Sequence, residues 1–103
     1  MNIFNHIPQR LAEELTEKIF ESERIRIERI VSEGHSSPSD FWYDQEENEW
    51  VVLLEGEASL EYESGITVQM QKGDYVYIPA HKKHRVAHTS SNPKAVWLAI
   101  LFI

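Results

Sequence analysis

The sequence contains no cysteine. That absence removes disulfides, thiolate nucleophiles and cysteine-held zinc or iron–sulfur centres together, so any metal would be held by nitrogen and oxygen. No apolar run reaches the roughly 18 residues a membrane-spanning helix needs. The opening residues, MNIFNHIPQRLAEELTEK, lack the basic-then-apolar pattern of an export signal, which makes the cytoplasm the expected location. Positive charge is also scarce, with 10 Lys and Arg against 17 Asp and Glu and a formal net charge of −7. A surface of that sign repels phosphate backbones, and no nucleic-acid partner is expected. Lys82, Lys83 and Arg85 form the only basic cluster outside the first third, and they read as a solvated loop.

With 103 residues, 42% of them hydrophobic, the chain can bury one core, and a single domain over 1–103 is expected. Pro8 suits a helix start, and Leu11, Leu15, Ile19 and Phe20 recur at helical spacing. This predicts a short amphipathic helix over 9–20, within an N-terminal extension of residues 1–23. From Arg24 to Val31 isoleucines alternate with charged residues, the period of a half-buried strand. The loop HSSPSD follows, and then Glu49 to Glu55 is nearly all apolar. EASLEYE alternates, Ser64 and Gly65 turn the chain, ITVQMQ returns with Ile66, Val68 and Met70 on one face, and YVYI ends at Pro79. HRVAHTS, the turn SSNP and the apolar strand AVWLAILFI complete the chain. About seven short strands at even spacing argue for an antiparallel sandwich or barrel over 24–103.

Two stretches carry polar chemistry beside that core: FWYDQEENEWVVLLEG, Phe41 to Gly56, and GDYVYIPAHKKHRVAH, Gly73 to His88. In an extended strand Tyr43 and Gln45 share a face, Glu49 joins them if the intervening turn is regular, and His84, Val86 and His88 share another. If the strands are neighbours, a phenol, a carboxamide, a carboxylate and one or two imidazoles converge. Such groups can ligate a metal, or they can hydrogen-bond one another and an ordered water. His6, His35 and His81 read as surface or loop residues, and Phe41, Trp42 and Tyr43 as packing aromatics.

The same stretches resemble the two signature motifs of the cupins, small jelly-roll β-barrels. Glu49, six residues and Gly56 match the end of the first motif; Gly73, five residues, Pro79 and then His84 match the second. The resemblance implies an all-β antiparallel barrel. It also implies one divalent metal (zinc, iron, nickel or manganese) at Tyr43, Gln45, Glu49 and His84. The two histidines usual in the first motif are missing: their places fall to Tyr43 and Gln45, or, with one more residue of spacing, to Trp42 and Asp44. A glycine and an asparagine of the second motif are His81 and His88. Three functions are compatible with these residues: an enzyme on a small polar molecule, a ligand-sensing module, and a barrel kept for oligomerisation. The free apolar residues near the start and the very apolar last strand suggest a homodimer.

Overall fold

The computed structural model describes residues 1–103 and consists of eight β-strands with no helix. They are β1 (Leu15–Glu21), β2 (Ile25–Ser32), β3 (Asn48–Glu55), β4 (Glu57–Tyr62), β5 (Thr67–Gln71), β6 (Tyr75–Ile78), β7 (His84–Thr89) and β8 (Ala95–Phe102). A five-stranded sheet in the order β1-β2-β8-β3-β6 faces a three-stranded sheet in the order β5-β4-β7, and every pairing is antiparallel. The core lies between them, where Val51, Leu53, Trp97, Ala99 and Leu101 of the larger sheet meet Leu60, Tyr62 and Met70 of the smaller.

The helix expected over 9–20 is absent. Residues Leu15–Glu21 instead form an edge strand whose partners run from Leu15↔Val31 to Glu21↔Arg26, with an irregularity at Ile19. A lone helix of that length is marginal in water, whereas a strand here completes a ladder along β2 and seats Thr16 toward the interior. Pairing therefore overrides the helical spacing, and the expected helical extension of 1–23 contributes a strand to the larger sheet.

Strand β2 has the opposite polarity from a simple reading of its alternation. Cross-strand partners lie on one face of a sheet. Arg26, Glu28 and Ile30 oppose Leu101, Ala99 and Trp97, so the charged residues face inward. Ile25 and Ile27 oppose Phe102 and Ile100 on the outer face. That face continues through Trp50, opposite both Ile100 and Tyr77, and Tyr77 stacks on Phe102 with ring centroids 6.3 Å apart. The residues before β1 reach the same outer face at Arg29, whose guanidinium bonds to Glu17, to the Ile3 carbonyl at 3.0 Å and to the Asn5 carbonyl at 2.5 Å.

Two local departures follow from turns and bulges. Ile66 lies in the turn before β5 and is exposed, leaving Val68 and Met70 to pack inward. In β7 the register against β4 shifts between Ser59↔His88 and Leu60↔Val86, so Ala87 is an extra residue. The bulge turns His88 outward and brings Thr89 into the interior, where its hydroxyl donates to the His35 carbonyl at 2.5 Å.

Candidate functional site

The segment between β2 and β3 has no ladder of its own. It runs along the free edge of β7 instead, where the Ser37 amide donates to the Val86 carbonyl at 2.8 Å. Tyr43 and His84 exchange both backbone hydrogen bonds, at 2.7 and 3.2 Å, and the His81 amide donates to the Gln45 carbonyl at 2.7 Å. These bonds fix Tyr43 and Gln45 at one end of the barrel. Glu49 arrives from β3, on the inward face opposite Ile78 and Leu101, and His84 begins β7.

These four residues line one cavity of about 140 Å³ between the sheets, together with Glu14, Thr16, Arg26, Glu28 and an apolar wall that includes Val51, Leu60, Ile78 and Trp97. Gln45 Nε2 donates to Glu49 Oε1 at 3.0 Å. His84 Nε2 stands 3.9 Å from the same oxygen, beyond hydrogen-bonding distance. Its other nitrogen, Nδ1, lies 2.9 Å from the Lys82 carbonyl, which can only accept. The neutral ring therefore carries its proton on Nδ1 and presents Nε2 as an acceptor. Tyr43 stacks on the imidazole with centroids 5.4 Å apart and is braced edge-on by Phe41.

Burial sets the electrostatics. It holds the Glu49 carboxyl above the ordinary carboxylate range; the Gln45 hydrogen bond and the nearby His84 and Arg26 pull it back, while Glu28 adds to the rise. Tyr43 is raised by burial and then by the carboxylates of Glu14 and Glu49, and Tyr62 by burial and Glu49. Burial works against the charge on Arg26, yet Glu28 and Glu47 together outweigh it and raise its affinity for the proton. The guanidinium is held by Glu28 at 2.8 Å and by Glu47 at 3.1 Å.

As a metal centre the donor set fits poorly. No three His, Asp or Glu side chains gather within ligating reach. Glu49 and His84 supply one carboxylate and one imidazole, the phenol of Tyr43 is held in its protonated form, and Gln45 turns its amide nitrogen toward Glu49. The other histidines lie elsewhere. His81 is exposed and pairs with Asp44 at 2.8 Å, His88 points outward, and His35 bridges the Glu33 amide and the Ala12 carbonyl. Trp42 and Asp44 do not line the cavity. Sequence reasoning missed Arg26, Glu28, Glu14 and Thr16. The alternation of β2 contained the first two, but it does not say which face is inside.

The profile of the Cupin domain family matches residues 28–101. This chain belongs to the cupin family. The crystal structure of a protein from Ralstonia eutropha JMP134 called a "putative mannose-6-phosphate isomerase" superposes on this cupin with a TM-score of 0.95. The two share 38% identity over 99% of this chain and 95% of the other. A cupin superfamily protein from Desulfitobacterium hafniense DCB-2 is 21% identical with a TM-score of 0.79, over 94% of this chain and 84% of that one. A polyketide cyclase from Streptomyces resistomycificus is 20% identical with a TM-score of 0.72, over 88% and 66%. The last two likenesses concern the fold alone. No curated relative matches the chain. No helix is long and apolar enough to cross a membrane.

Proposed function

We propose that this cupin holds a small polar molecule in the cavity between its sheets, with Glu49, His84, Gln45 and Tyr43 as the contacting groups. The observation that carries the reading is the gap between Glu49 Oε1 and His84 Nε2. Glu49 Oε1 accepts from Gln45, but His84 Nε2, 3.9 Å from that oxygen, has no hydrogen-bond partner, whereas buried polar groups in folded proteins ordinarily have one. A single ligand atom set to the side of the gap, off the line joining them, can bond both. The volume suits a compact occupant: a cavity of about 150 Å³ takes up benzene, so an enclosed group of about six non-hydrogen atoms fits here.

A thermal-shift screen of small polar compounds, repeated on His84→Ala and Glu49→Gln, tests the reading. Compounds that raise the melting midpoint of the parent and of neither variant support it, because binding to the native state stabilises by mass action. An identical profile in all three proteins would count against it.

Divalent metal at Tyr43, Gln45, Glu49 and His84 is the competing occupant. Elemental analysis decides it: one zinc, iron, nickel or manganese per chain, lost in both variants, would replace an organic ligand with an ion. An enzymatic role has one observation in its favour, a carboxyl with raised proton affinity beside an imidazole, which suits general acid–base work. Isomerisation, the activity in the name of the Ralstonia protein, needs such a proton carrier. Conversion of mannose 6-phosphate by the parent and not by Glu49→Gln would establish it here and would displace the compact-ligand reading.

We also propose that the protein works as a homodimer built on the outer face of the larger sheet. Both faces of β8 are apolar, and Phe20, Tyr75 and Tyr77 stand exposed around Ile27, Ile100 and Phe102. A sheet apolar on both faces is expected to be covered on both.

A further inference from the structure

The chemical class of the occupant can be read from what the cavity offers, taking as given the ligand-binding reading above. When the imidazole is neutral and Glu49 ionised, both atoms flanking the 3.9 Å gap are acceptors: Nε2 because the Lys82 carbonyl holds the proton on Nδ1, and Oε1, already accepting from Gln45, because a carboxylate has only lone pairs. A hydroxyl carries one proton and can satisfy only one of them. An ammonium group carries three donors and satisfies both.

The wider lining has the same sign. Three carboxylates, Glu14, Glu28 and Glu49, face one guanidinium, Arg26, and no lysine lines the cavity. That guanidinium is already committed to Glu28 and Glu47. A phosphate or carboxylate entering here would meet acidic neighbours and no free cation, whereas a cation would be drawn in. Trp97 lines the same space, and aromatic rings attract positive charge. We propose that the occupant is a small primary amine bound as its ammonium ion between Glu49 and His84, and that the pocket rejects phosphorylated and carboxylated molecules of the same size.

Three probes of matched length test this on the unaltered chain: n-butylamine, 1-butanol and butyrate, titrated at neutral pH by calorimetry while the His84 imidazole signals are followed by NMR. The amine is expected to bind about tenfold or more tightly than the alcohol, the difference a charged donor makes in a desolvated site, and butyrate is expected not to saturate. Glu49→Gln should erase the preference for the amine. The comparison among probes on the parent does not depend on that variant folding. Equal or tighter binding of 1-butanol, lost in His84→Ala, would overturn the amine assignment and leave the pocket as a binding site. Saturable butyrate would overturn it as well. Failure of all three probes to perturb His84 would overturn both readings together.

Discussion

Glu49 is the residue whose environment has the most measurable consequence. Burial raises its proton affinity in the native state above that of the unfolded chain, so the native state holds more protons across the window from the ordinary carboxylate range up to the raised value. Stability attributable to Glu49 is therefore greatest at the acid side of that window and falls as pH rises through it. Replacement by Gln keeps the amide-sized side chain and removes the titration. The difference in melting midpoint between Glu49→Gln and the parent should grow in favour of the variant as pH rises above the ordinary carboxylate range; a constant difference would refute the burial argument. His84→Ala removes a side chain that bonds the Lys82 carbonyl and stacks on Tyr43. It should destabilise by about 1–3 kcal/mol in denaturant titrations, short of unfolding the barrel. That Tyr43, Gln45, Glu49 and His84 line one cavity follows from motif spacing, which acts irrespective of packing detail. Arg26 and Glu28 were not legible in the sequence, since charged residues on a half-buried strand are ordinarily assigned to solvent. His88 was misplaced because a bulge at Ala87 leaves no trace in composition.

At the scale of elements, the alternation between β4 and β8 and the turns at Gly65, Gly73 and Pro79 were legible, since period-two patterns and turn residues act locally. The first strand was not: its identity depends on a ladder to β2, and Leu15 with Ile19 satisfies a helical period equally well. The turn between β3 and β4 offers a direct test of local packing. Gly56 has φ +87°, and a Cβ there would lie 2.6 Å from Ser90 Oγ and 2.8 Å from both the Ala95 Cα and the Lys94 carbonyl oxygen. Gly73 has a similar φ of +93° with open space around it. Gly56→Ala is therefore expected to cost about 3 kcal/mol or more and Gly73→Ala only the backbone strain of about 1–2 kcal/mol, as measured by urea denaturation. Arg29 has a comparable structural role at the sheet's outer face. Arg29→Leu should destabilise by about 2–3 kcal/mol, less than a fully buried pair because Glu17 stays partly hydrated. It should also raise hydrogen exchange at residues 1–7, whose carbonyls at Ile3 and Asn5 lose their donor.

For the whole molecule, the proposed dimer rests on the outer face of the larger sheet. If two copies meet there, Tyr77→Glu, a half-exposed aromatic exchanged for a charge, should weaken the dimer by more than about tenfold in sedimentation equilibrium. A parent that is monomeric at micromolar concentration would remove the dimer outright. The barrel class was legible from strand count and motif, because short alternating strands between turn residues are set by local pattern. The place of β8 also bears on how the molecule comes into being. The last strand in chain order is the middle of the five-stranded sheet, bonded to β2 on one side and β3 on the other. Until residues 95–102 have been synthesised, the two halves of that sheet have no common seam, and Ser32 waits for Ala95 across some sixty intervening residues. Such distant pairing makes for slow folding. A nascent chain that has left the ribosome as far as β7 leaves the edges of β2 and β3 that face β8 unpaired, a species expected to recruit chaperones and to aggregate if synthesis stops there.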